Sequence, residues 1–157
     1  MKRKERIPVV FVFLALLTIA LPAEKALATL GGSVDSVESD RRVLSAVRGN
    51  VTPGATYTVH EIAYEGTTVR EYVSPQGIVF AIAWNGVRSP DLQTLLGSYA
   101  GQYNAALASR QHRPGAKHSS IKGDDVVVER WGQVGHLQGR AYAPALIPTG
   151  VSVDEIK

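Results

Sequence analysis

The stretch Tyr57–Trp84, YTVHEIAYEGTTVREYVSPQGIVFAIAW, decides the fold. It predicts three consecutive antiparallel strands joined by two tight turns. Tyr57–Tyr64 is rich in β-branched and aromatic residues, Thr67–Val73 is again β-rich, and Ile78–Trp84 is the most apolar run. Glu65-Gly66 reads as a short turn. In Ser74-Pro75-Gln76-Gly77, Pro75 presets φ, and Gly77 supplies the positive φ that closes a hairpin.

The turns set a register. A two-residue loop at Glu65-Gly66 places Glu61 opposite Arg70 and His60 opposite Glu71. A three-residue loop at Pro75-Gln76-Gly77 pairs Val73 with Val79 and Tyr72 with Phe80. One face then carries Tyr57, Val59, Tyr72, Phe80, Ile82 and Trp84, with Glu61 and Arg70 as a partly buried ion pair. The other carries Ile62, Tyr64, Val69, Val73 and Val79, with His60 and Glu71. A one-residue slip would exchange the two sets. The first, richer in large groups, is the expected core face.

Upstream, residues 1–28 read as an export signal. Lys2, Arg3, Lys4 and Arg6 form a basic start, Val9–Leu21 is an apolar run short for a bilayer span, and Ala26-Leu27-Ala28 is a small-x-small cleavage site. The expected mature protein is one domain over residues 29–157, periplasmic or secreted, with no membrane span. Removing Lys2, Arg3, Lys4, Arg6 and Lys25 from the 17 basic residues, and Glu5 and Glu24 from the 14 acidic ones, leaves 12 of each. Such a balance gives no global attraction to nucleic acid. With no cysteine, apolar packing alone must hold the domain.

Thr29–Gly32 is expected to be flexible, and Ser33–Val47 to form a short N-terminal helix. Ser89–Arg110 is the clearest helix, with Ser89 as N-cap, Pro90 at its first position and Leu92, Leu95, Leu96, Tyr99, Tyr103 and Ala106 on one side. It is expected to cover the face bearing Tyr72, Phe80, Ile82 and Trp84. Gln111–Gly123 reads as a polar loop, and Asp125–Trp131 with His136–Tyr142 as a C-terminal hairpin. The expected class is α+β: an antiparallel sheet of a three-stranded meander plus that hairpin, covered by one long helix, with a shorter N-terminal helix.

Chemistry is sparsely signalled. His60 oriented by Glu71 has the arrangement of a general base, the basis of an alternative reading as a small periplasmic hydrolase. The plainer reading is a cross-strand pair, since no nucleophile or second acid adjoins it. The basic segment Arg110–Lys122 lacks the interleaved aromatics of a nucleic-acid surface, and His112 and His118 match no metal-ligand spacing. No cofactor or metal motif is present. Tyr64, Trp131 and Tyr142 are left as a ligand or partner surface, which favours a non-enzymatic module binding a protein, glycan or small molecule.

The segments ALATLGG, GTTVREYVSPQGIVFAIAW, SPDLQTLLGSY, Asp-Val-Val-Val-Glu and GRAYAPALIPTGVSVDEI together resemble an exported bacterial family, domain of unknown function 2844. The resemblance covers nearly all of the expected mature chain. It implies export and carries over no activity, cofactor or catalytic residue.

Overall fold

A computed structural model describes residues 29–34, 42, 47–110 and 118–157; the side chains of Arg48 and Tyr64 fall outside the described set. The expected signal segment and most of the expected helix over Ser33–Val47 also lie outside the described residues. Among the described residues there are seven strands: β1 (Val47–Pro53), β2 (Thr58–Tyr64), β3 (Thr67–Val73), β4 (Val79–Gly86), β5 (His118–Lys122), β6 (Val127–Gln133) and β7 (His136–Tyr142). They form one sheet in the order β1-β2-β3-β4-β7-β6-β5, and every pairing is antiparallel.

This overturns the expected α+β architecture, an antiparallel sheet of a three-stranded meander plus a C-terminal hairpin covered by one long helix: the fold is dominated by a single seven-stranded sheet. Two edge strands escape the sequence reading. β1, VRGNVTP, contains Gly, Asn and Pro, and its ladder is irregular between Arg48 and Val51. Such residues are tolerated at an edge, where one side of the strand needs no partner. β5 is a short, polar strand inside the expected loop.

The β2–β3 register is as the turn predicted, with Glu61 opposite Arg70 and His60 opposite Glu71. The β3–β4 register is not. Val73 pairs with Val79, but Tyr72 pairs with Ala81, so Phe80 is an extra residue in β4. This bulge keeps Phe80 beside Tyr72, their ring centroids 6.1 Å apart, and sends Ile82 and Trp84 to the opposite face. The expected core-face set is therefore split.

The helical connection between β4 and β5 covers the face of Ile62, Val69, Val73, Val79, Ile82 and Trp84. It is not one helix. Asp91, not Ser89, caps α1 (Leu92–Leu96) by accepting from the Gln93 N–H at 2.9 Å. Gly97, at φ 49°, then turns the chain through a 3-10 turn (Gly97–Tyr99) into α2 (Ala100–Ser109). A side chain at Gly97 would strike Thr29. That neighbour belongs to an N-terminal segment that is fixed, not flexible as expected. The Leu30 N–H donates to the Leu95 carbonyl at 3.0 Å, Gly31 N–H to Val79 at 2.8 Å, and Val79 N–H to Gly32 at 2.9 Å. Leu30 is fully buried beside Leu95 and Leu96.

The other face carries Tyr57, Val59, Tyr72, Phe80, Ala81, Ala83 and Tyr142, and the C-terminal segment covers it. Leu146, Ile147, Val151 and the fully buried Ile156 pack there. Polar contacts hold this segment down. The Tyr72 hydroxyl donates to the Lys157 carbonyl at 2.8 Å and accepts from the Lys157 N–H at 3.0 Å. Arg140 donates to the Val153 carbonyl at 2.6 Å, and Arg70 to that of Lys157 at 3.2 Å.

Candidate functional site

The β6–β7 hairpin turns through Gln133–His136, with Gly132 and Gly135 at φ 108° and 87°. Its register sets Trp131 between Gln138 on β7 and His118 on β5. The Trp131 indole N–H donates to the Gln138 side-chain oxygen at 3.0 Å. His118 stacks on the ring at 6.4 Å and 20°, and the Arg140 guanidinium lies 5.8 Å from its centroid. Arg140 is itself fixed by Glu129 at 2.7 Å. The indole is thus held by three side chains.

Two concavities lie at this hairpin end, and Trp131, Gly132 and Gln138 belong to the lining of both. One, of about 260 Å³, is completed by Trp84, Ser89, Ser119, Arg130 and Leu137. The other, of about 400 Å³, adds Gln133 and His136. Beside them Val134 is 98 % exposed at the tip of the turn.

The first concavity follows from one row of the sheet. Trp84 pairs with Gly139, Gly139 with Arg130, and Arg130 with Ser119, so all four share the helix-side face. A Cβ at Gly139 would overlap the Trp84 ring, so the indole occupies the space that glycine leaves empty. The Trp84 indole nitrogen is buried and has no hydrogen-bond partner among the described residues. An orphaned donor of this kind costs about 1–3 kcal/mol. Arg110, at the end of α2, donates to the Ser119 hydroxyl.

The expected ligand surface is reassembled. Trp131 is at its centre, whereas Tyr142 lies at the other end of β7, packed against the C-terminal segment. Burial raises the Tyr142 pKa above its usual value, the Glu129 charge adds to the rise, and Arg140 opposes it. The side chain of Tyr64 lies outside the described residues. Trp84, Ser119, Arg130 and Gln138 were not anticipated. Trp131 opposite Gln138 follows from the hairpin turn, but the row through Trp84 needs the β4–β7 pairing, which no local signal announces.

Glu61 and Arg70 form the expected partly buried ion pair, 2.8 Å apart and 25 % and 35 % exposed. His60 and Glu71 do face one another across β2 and β3, but Glu71 is fully buried and His60 half-buried. Neither lines the concavities at the hairpin end. Among the described residues there is no cluster of three or more metal-ligating side chains, and no helix long and apolar enough to cross a membrane.

No curated protein and no solved structure matches the chain. The family model described as Protein of unknown function (DUF2844) matches residues 26–156, and the chain belongs to that family.

Proposed function

We propose that this protein is an exported, non-enzymatic binding module whose ligand or partner surface is centred on Trp131. The carrying observation is the concavity beside this immobilised indole, lined also by Gln133, His136 and Gln138. A ring already held by Gln138, His118 and Arg140 loses little freedom on binding, which favours recognition. A fully buried Glu71 gives a substrate no access, so the hydrolase reading through His60 and Glu71 gains no support.

Export rests on the basic start, the short apolar run and Ala26-Leu27-Ala28. Leu30, the second residue after the expected cleavage point, is buried in the core and is kept in the expected mature chain. Mass spectrometry of the periplasmic or secreted fraction should find Thr29 at the N-terminus, and an intact Met1 there would sink the export reading.

The binding reading is tested by presenting immobilised protein with glycan and small-molecule libraries, alongside a Trp131→Ala variant. A ligand retained by the wild type and lost by the variant is the expected result. Equal retention by both would remove Trp131 from the site.

A further inference from the structure

We propose that the concavity walled by Trp84, Arg130, Ser119 and Leu137 binds a small carboxylate carried on a ring, an aromatic acid or a uronic acid. This inference deepens the binding reading above and rests on it. The argument begins with Arg130. Arg70, Arg88 and Arg140 each face a carboxylate, from Glu61, Glu65 and Glu129 respectively. Arg110 is engaged by the Ser119 hydroxyl. The Arg130 side chain has no such partner among the described residues, yet it is half-buried and lines a concavity whose walls hold no carboxylate. A guanidinium so placed, with a second one on the neighbouring Ser119, makes the hollow locally cationic. Its planar fork of donors matches a carboxylate better than a spherical anion.

The remaining walls select what carries the charge. The Trp84 indole and Leu137, both on the helix-side face, offer flat and apolar contact, which suits a ring. Ser89 and Ser119 bring hydroxyl groups to the same hollow, and among the described residues the buried Trp84 N–H is a donor without an acceptor. A volume of about 260 Å³ lies below the ~300–1,000 Å³ of pockets for drug-sized ligands, which limits the occupant to a single ring. Because the expected mature chain has equal numbers of acidic and basic residues, the attraction is local to this hollow.

The chain has two tryptophans, Trp84 with its ring in the wall of the concavity and Trp131 next to Arg130 in the chain, so intrinsic fluorescence reads occupancy. The purified protein is titrated with benzoate and with glucuronate, against benzamide and glucose as uncharged counterparts. A saturable change with at least one acid, at least tenfold weaker for its neutral counterpart, is expected; whichever acid binds more tightly assigns the source. Arg130→Gln should weaken that binding at least tenfold, and Arg130→Lys should restore part of it. Ser119→Asp, a change on an edge strand that offers the guanidinium an internal carboxylate, should weaken it similarly if Arg130→Gln fails to fold. No saturation by either acid up to about 10 mM, where affinity is too weak to be specific, would overturn the proposal. So would unchanged affinity in the folded Arg130 and Ser119 variants, or equal binding of inorganic phosphate. If the acids fail while Trp131→Ala still abolishes a library ligand, only the ligand class falls. If both fail, the binding reading falls with it.

Discussion

On the helix side the sheet is closed by aliphatic packing: Leu30, Leu95 and Leu96 are almost wholly excluded from water against Ile62, Val69 and Ile82. On the tail side a short segment with little regular structure lies over Tyr57, Tyr72, Phe80 and Tyr142, and two arginines and a tyrosine grip its backbone. The first closure needs only shape and burial. The second combines burial of Ile156 with directed hydrogen bonds, because a segment of single 3-10 turns cannot satisfy its own carbonyls. The two sides should accordingly fail in different ways when perturbed.

The largest effect belongs to the helix side. Leu96→Ala should lower stability by ~2–5 kcal/mol in urea unfolding, the range for emptying a packed site. A loss under about 0.5 kcal/mol, as at ordinary surface positions, would end the claim that α1 closes the core. On the tail side, Arg140→Ala should cost about 3 kcal/mol, near the lower end for a broken buried pair, since Arg140 and Glu129 are each 17 % exposed. Its double-mutant cycle with Glu129→Ala should show strong coupling. The Arg70–Glu61 pair, more open to water, should show coupling of about 1 kcal/mol or less. If the two cycles agree, burial is not what separates the pairs.

The smallest effect is one of pH. Burial raises the Tyr57 pKa above 10.0, and its hydrogen bond to Glu155 at 3.1 Å adds to the rise. A folded-state pKa above the unfolded one means that the folded form holds the proton more tightly. That contribution is complete below the unfolded value and is lost as pH climbs through the folded value. Thermal stability should therefore decline above about pH 10. Tyr57→Phe should make the decline shallower, and an unchanged slope would separate this tyrosine from the alkaline behaviour.

The same contrast shows what was legible in the sequence. Local signals worked where turn chemistry fixes pairing: Glu65-Gly66 gave Glu61 opposite Arg70, and the hairpin β6–β7 was visible from its strands. They failed where one residue or one distant partner decides. The extra residue Phe80 carries no mark of its own, yet it moves Ile82 and Trp84 to the other face. Asp91 outcompeted Ser89 as the cap, and Gly97 reads as a weak spot in a helix until the Thr29 segment is seen against it. β1 and β5 are edge strands with poor intrinsic preference, recruited by their neighbours. For the site, Trp131 was recognisable as an aromatic without a core role. Arg130 and Trp84 became partners only through a pairing between strands far apart in the chain.

That pairing has a kinetic consequence. β1 to β4 and β5 to β7 are each strings of neighbouring strands that zip locally, whereas β4 meets β7 with Ala81 opposite Tyr142 and Gly86 opposite Leu137. The seam closes a loop of about 50 residues, so its entropy must be surrendered before any contact across it repays the loss. The two halves are expected to form first and to join last. Trp84 sits on the seam against Gly139, so in a Trp131→Phe background its fluorescence should report the slowest refolding phase. A Trp84 signal that is complete before the β2–β3 meander forms would reverse that order.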